Sequence, residues 1–241
     1  HLPDPESSRG VTSEPERMHE ITLKAWLEIL QKKGTIPDEE EWMQLYGEHL
    51  RKRRVNIELH RVTGEELFRR MRRTKNNTST GADGWRSIEV KAIPARLLDY
   101  FGRLMWRVEH GGNWPESLLY AMVAMLAKVG QNPLEAGPLK QRPVSVASIL
   151  YRAYSSVRYR HLAPWMVKWC HPFFRGGIPE GDTKDLTVDM GLDIEDAALD
   201  EEPLWGINED VKKYYDSMVR PILWKAAEAL GMPEWLTDSQ N

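Results

Sequence analysis

Asp210-Val211-Lys212-Lys213-Tyr214-Tyr215-Asp216 is the segment of this chain whose residue types and spacing best suit chemistry. It follows a short apolar stretch, Leu204-Trp205-Gly206-Ile207, and precedes a helix-like run from Val219 to Leu230. The pattern predicts a strand that ends in a carboxylate, with an aromatic ring five residues on. A carboxylate there is a hard oxygen ligand of the kind Mg²⁺ prefers, and a flat ring can press on the sugar of a nucleotide. The chemistry such residues would suit is phosphoryl transfer between nucleotides, in which two metal ions clamp the attacking and leaving oxygens. The plainer reading of the isolated segment is an Asp that caps a turn.

Positioning such groups takes a sizeable fold, and 241 residues with 41% hydrophobic and 29% charged content can build one large domain or two smaller ones. The longest apolar run, Leu118 to Ala127, is too short to cross a bilayer, so no membrane partner is expected. The first residues are polar and Pro-rich, unlike a signal peptide. A single cysteine, Cys170, excludes internal disulfides and fits an intracellular setting.

The net charge of -3 hides an asymmetry. Arg51, Lys52, Arg53, Arg54, Arg61, Arg69, Arg70, Arg72, Arg73 and Lys75 are opposed only by Glu58, Glu65 and Glu66. Asp185, Asp189, Asp193, Glu195, Asp196, Asp200, Glu201 and Glu202 follow one another with no Lys or Arg between them. The basic segment suits nucleic-acid phosphate or is a solvated helix face. The acidic one reads as a solvated helix face.

Along the chain, residues 1–13 hold Pro, Ser, Gly and charge, which predicts disorder. Ile21, Leu23, Trp26, Leu27 and Leu30 have helical spacing. Asp38 before Glu39-Glu40-Glu41 starts a second helix, with Trp42, Leu45, Tyr46 and His49 expected inward. Thr63-Gly64-Glu65-Glu66 is a capping box for a third. Asn76 to Gly84 reads as a loop, and Pro94 opens a helix to about Glu109. Tyr120 to Val129 reads as a buried strand, with a short helix as the alternative, and Val146 to about Trp169 as a long helix bent near Pro164. Phe174 to Asp182 is a glycine-bearing loop. The acidic stretch is expected to be an amphipathic helix with Leu186, Met190, Ile194 and Ala197 inward.

Four segments follow one another in a suggestive order: Thr80-Gly81-Ala82-Asp83-Gly84-Trp85; Met125-Leu126-Ala127-Lys128-Val129-Gly130, then Gln141-Arg142-Pro143-Val144-Ser145-Val146 and Tyr151-Arg152; Gly176-Gly177-Ile178-Pro179-Glu180-Gly181-Asp182; and Asp210 to Asp216. The order resembles the fingers and first palm segment of reverse transcriptases, especially those of non-LTR retrotransposons and group II introns. The resemblance spans roughly Lys75 to Leu236. Ile178 stands where that family usually has Phe, and Tyr214-Tyr215 where it usually has Ala-Phe.

The resemblance implies an α+β fold: right-hand polymerase fingers and partial palm, helix-rich with a small antiparallel sheet. Residues 1–13 would be a disordered N-terminus and 14–75 a helical basic extension. Residues 76–202 would form the fingers and 203–241 the start of the palm. No second carboxylate motif of "YxDD" type is present, so the chain is expected to be a fragment of a longer enzyme, inactive alone. Asp210 and the Val211 carbonyl would hold Mg²⁺, with Mn²⁺ as the alternative ion. Lys128 and Arg142 would grip the triphosphate, because charge shifts onto the leaving pyrophosphate, and Tyr215 would reject a 2′-hydroxyl. Arg69, Arg70, Arg72, Arg73, Lys75, Gly81, Gly84, Arg152, Gly177 and Gly181 would contact nucleic acid. The implied partners are an RNA template, a DNA primer and deoxynucleoside triphosphates. An RNA-dependent RNA polymerase, a catalytically dead nucleic-acid binder and an unrelated helical interaction protein are the competing readings.

Overall fold

The computed structural model describes residues 2–30, 38–127, 137–179, 181–207, 209–210 and 218–239. Their order is β1 (Leu2–Pro3), β2 (Val11–Thr12), α1 (Pro15–Leu30), α2 (Glu39–Arg51), α3 (Gly64–Arg72), α4 (Ser87–Ala92), α5 (Ala95–Glu109), α6 (Glu116–Leu119), β3 (Met122–Ala127), a 3₁₀ turn (Pro138–Lys140), β4 (Gln141–Val146), α7 (Ile149–Trp169), α8 (Thr183–Leu199), α9 (Arg220–Ala229) and α10 (Glu234–Asp238). Helices dominate, and β1–β2 and β3–β4 form two separate two-stranded antiparallel sheets, as an α+β class requires.

The chain folds into two compact units that interleave in sequence. The first draws on residues up to Pro37 and on Arg61–Val157. The second draws on Asp38–His60, Arg158–Tyr214 and Arg220 onward. These units cut across the successive segments 14–75, 76–202 and 203–241 expected from sequence. The long helix α7 contributes residues up to Val157 to the first unit and from Arg158 to the second.

In the first unit the core is built where α3, α4, α5 and the start of α7 meet. Val62, Leu67, Met71, Val90, Leu98, Met105, Ile149, Ala153, Tyr154 and Val157 form one buried cluster. Thr63 caps α3: its hydroxyl accepts from Glu66 N, and the Glu66 carboxylate accepts from Thr63 N at 2.9 Å, which satisfies two otherwise orphaned donors. Glycines let backbones touch. A Cβ on Gly64 would lie 2.1 Å from Ala95 O, and one on Gly102 2.3 Å from Val62 O.

Asp99 of α5 locks this crossing. It accepts from Arg61 Nη1 at 2.8 Å, from Gly64 N at 3.1 Å and from Arg103 Nε at 3.0 Å. The Arg61 hydrogen bond, followed by that of the Gly64 amide, holds its carboxyl down to about 2 against an ordinary 3.8. The folded value lies below the unfolded one, so this stabilisation is complete above about pH 4 and is lost as pH falls toward about 2. With screening at a quarter-exposed side chain it is worth ~1–2 kcal/mol. Asp99→Asn is expected to lower the neutral-pH urea midpoint accordingly and to flatten the stability profile in that acid window. A profile that stays parallel to the wild type would remove Asp99 from this role.

The amino terminus departs from expectation. Residues 2–12 form a ribbon, with Leu2 opposite Thr12 and Pro3 opposite Val11. Leu2 is buried. Asp4 N donates to Gly10 O at 3.0 Å, and Arg17 Nε and Nη2 fork onto the two Asp4 oxygens at 3.0 Å each. Composition signalled disorder because it does not register a bidentate pair between residues so distant along the chain.

In the second unit, α2 packs on α9, and Gly47 is the buried residue of α2. Asp38 caps α2, accepting from Glu40 N at 2.8 Å, as expected. The inward face differs, however. Leu45 and Tyr46 are exposed, while Gly47 is buried and Met43 and Leu50 are half-buried. Val55 N donates to Leu230 O at 2.9 Å, and Trp165 Nε1 donates to Val55 O at 2.6 Å, tying the irregular segment after α2 to α9 and α7.

Candidate functional site

The candidate residues of the first unit gather around the point where β4 feeds α7. β3 and β4 pair from Met122↔Val146 to Ala127↔Gln141, which places Arg142 opposite Leu126. Strand alternation puts Arg142, Val144, Met122 and Leu126 on one face of this ribbon. All four are exposed, so the guanidinium stands on an open apolar apron. The strand expected to be buried is therefore solvent-facing. A two-stranded ribbon has two edges and two faces, and no described layer covers it. That openness also accommodates Pro143, which removes a ladder donor. Lys128 lies outside the described residues.

Two residues after β4, Ser148 starts α7: Arg152 N donates to Ser148 O at 2.9 Å. The Gly81–Gly84 loop is seated on this helix start. Gly84 N donates to Gly81 O at 3.1 Å to close the turn, and Gly84 takes φ +72° with open space around its Cα. Gly81 is buried, and a Cβ there would lie 2.6 Å from Ser148 N. The close approach that this glycine permits is thus made to the protein's own backbone. Arg152 donates through Nη2 to Ser79 O, pinning the loop from its other side. Gly81 and Arg152, both expected against nucleic acid, are brought together as a clasp, and Gly84 is the exposed member.

The α3 cations divide in the same way. Arg70 Nε donates to Ser156 Oγ at 2.7 Å and Nη1 to Thr74 Oγ1 at 3.3 Å, so its fork ties α3 to α7. Arg69, Arg72, Arg73 and Lys75 are exposed. Arg69 sits 3.5 Å from Glu65, and Arg72 lies over the Phe68 ring at 5.6 Å. The exposed face at the end of α3 is a cation patch suited to phosphate.

The aromatic and cationic residues of α7 mostly serve the core. Tyr154 is buried and donates to the buried Glu109 carboxylate. Tyr151 packs edge-on against Trp114 at 5.8 Å. Arg158, also buried, donates to His60 O at 2.7 Å. The Ser148, Ser156 and Glu109 roles were missed from sequence.

In the second unit, Gly177 is exposed at φ +71°, and its carbonyl accepts from Tyr159 Oη at 3.1 Å. Gly181 N donates to Ile178 O at 3.1 Å, and a Cβ on Gly181 would lie 2.6 Å from Arg175 O. Both glycines therefore shape one loop, and Asp182 after it caps α8 by accepting from Lys184 N at 2.9 Å. Glu180 lies outside the described residues.

Asp210 is exposed and sits in irregular chain. The strand expected before it is not formed: Trp205 is 90% and Ile207 91% exposed, and no described strand pairs with them. A lone extended segment leaves its amides to water, so apolar β-formers alone do not make a strand. Val211 and Tyr215 lie outside the described residues. Among the described residues no three His, Cys, Asp or Glu side chains converge to hold a metal. Asp210 offers one carboxylate, and the described residues do not compose a two-metal site. The chain matches no family model and no curated protein. No helix among the described residues is long and apolar enough to cross a membrane.

Proposed function

We propose that this chain is the fingers and first palm segment of a retroelement RNA-directed DNA polymerase. The observation that carries the reading is the β3–β4 ribbon, which offers Arg142 on an open face, followed by a helix start that clasps the Gly81–Gly84 loop. These parts follow one another as the four sequence segments would require. In this reading Arg142, together with Lys128, takes up the charge of the leaving pyrophosphate as the primer 3′-oxygen attacks the α-phosphorus. Asp210 supplies one ligand for Mg²⁺, whose charge offsets that of the phosphates. The exposed end of α3 holds template phosphates.

Binding is tested on the chain itself by fluorescence anisotropy with single-stranded RNA across a salt series. Replacing Arg72, Arg73 and Lys75 together by Ala is expected to weaken binding and to lower the log–log salt slope by about 2, since each lost phosphate contact on a single strand removes ~0.7. Arg70→Ala is expected to lower stability, through Ser156, with a smaller change in slope. A slope unaltered by the triple substitution would take the nucleic acid off this helix. The polymerase itself is tested by primer extension on an RNA template, using the protein encoded by the whole reading frame. Deoxynucleotide incorporation supports the reading. Incorporation of ribonucleotides alone, or RNA binding without synthesis, would replace it.

A further inference from the structure

Two exposed helix faces of this chain complement each other. On α5, Arg96, Leu97, Tyr100, Arg103, Leu104 and Arg107 recur at helical spacing and share one side. Leu97, Tyr100 and Leu104 are 54%, 59% and 41% exposed, and the Arg103 guanidinium lies over the Tyr100 ring at 5.8 Å. No acid competes on this face: Asp99 is taken by Arg61 and Arg103, and Glu109 is buried. On α8, Leu186, Met190 and Ile194 form a stripe, each about half exposed, and α8 has no buried residue. Asp185, Asp189, Asp193 and Asp196 run beside that stripe, with Lys184 the only base in the helix.

We propose that α5 of one copy docks on α8 of a second copy of this chain. The apolar stripes match in length, each spanning about two turns, ~11–12 Å at 1.5 Å per residue. The charges are opposite and lie along the edge of each stripe. Arg103 and Asp189 already have partners within the chain, Asp99 and Arg175, each at 3.0 Å. Arg96 and Arg107, eleven residues apart on α5, therefore face Asp185 and Asp196, eleven residues apart on α8, each pair ~16 Å apart along its helix. Tyr and Arg are enriched at interface centres. The acidic edge turns nucleic acid away from α8 and leaves it to protein. Since every copy carries both faces, two contacts form in a closed pair, or one per junction in a growing assembly.

Sedimentation velocity of the chain at low salt tests this. The expected result is a species of at least twice the 27.9 kDa of one chain, dissociating as salt screens the rim charges. Arg96→Glu with Arg107→Glu, and separately Asp185→Lys with Asp196→Lys, are each expected to weaken self-association at least tenfold. All four sites are exposed, and circular dichroism checks that both variants stay folded. An equimolar mixture of the two is expected to associate again, because Glu on α5 then meets Lys on α8 while the unaltered faces meet each other. A wild-type chain that stays monomeric overturns the proposal, as does a mixture that fails to reassociate. Loss of RNA binding by the Arg96, Arg107 variant of a monomeric wild type would overturn it too, and would hand α5 to nucleic acid.

Discussion

Gly64→Ala is expected to destabilise the first unit by more than ~3 kcal/mol, beyond the 1–3 kcal/mol usual for overpacking. Propensity alone argues the other way, since Ala stabilises a helix by about 1 kcal/mol relative to Gly. Sterics decide the sign. The added methyl would lie 2.1 Å from Ala95 O, 2.5 Å from Asp99 N and 2.8 Å from Asp99 Cα. All three are backbone atoms of α5, so no side-chain rotation relieves the clash. Separating α3 from α5 would also break the Gly64 amide bond to Asp99 and loosen the Arg61 pair. Gly84→Ala is the contrast. Its surroundings are open and only its φ of +72° resists a side chain, which costs about 1–2 kcal/mol. Urea denaturation of the two variants beside the wild type checks the ranking. A Gly64→Ala chain as stable as the wild type would mean that α3 and α5 do not cross this closely.

Gly64 also marks where the sequence stops being legible. Thr63 and Glu66 announce the helix start through their own chemistry, and Asp38 does the same for α2, because capping is local. A strand was read over Tyr120 to Val129 and the resemblance implied a small antiparallel sheet, and β3 pairs antiparallel with β4. What Gly64 touches, Ala95 and Asp99, lies far along the chain on another helix, and no local pattern encodes that. The inward face of α2 failed for the same reason. Aromatic residues drew the expectation, whereas the structure buries Gly47 and half-buries Met43 and Leu50. Interleaving of the two units is likewise a property of long-range contacts. The strand before Asp210 and the buried stripe of α8 failed differently. Hydropathy reports that a segment would gain from burial, but burial needs a covering layer, and no described residue supplies one to Trp205, Ile207, Met190 or Ile194.

The candidate site was legible to the same extent. Residue types at the motif positions could be read, and their employment could not. Gly81, Arg70 and Arg152 were grouped with residues meant for nucleic acid, yet their contacts are internal. A buried glycine or a forked arginine looks the same in sequence whether it meets a phosphate or the protein's own carbonyl. The consequence is a division of labour. The clasp made by Gly81, Arg152 and Ser79 positions the loop, while Gly84, Arg142, Arg72, Arg73 and Lys75 remain open to a ligand.

In the protein encoded by the whole reading frame, Asp210→Asn is expected to lower RNA-templated DNA synthesis at least ~10³-fold, about 4 kcal/mol of barrier. Asn keeps the size and a carbonyl oxygen but removes the charge, so the comparison isolates the carboxylate. Asp210 is exposed and outside regular structure, so its loss is expected to leave the urea midpoint within ~0.5 kcal/mol of wild type. That separates chemistry from folding. Arg142→Ala is expected to cost less, ~10²-fold, and mainly through a higher KM for nucleotide, since in the proposed reading Arg142 shares the triphosphate with Lys128. The two variants must also differ in RNA affinity from the α3 substitutions. Neither is expected to alter the salt slope for RNA, because neither is assigned to the template. Full synthesis by the Asp210→Asn protein would place the catalytic carboxylate elsewhere in the chain. Equal losses in synthesis and in RNA binding would turn Asp210 into a structural residue of a binding module.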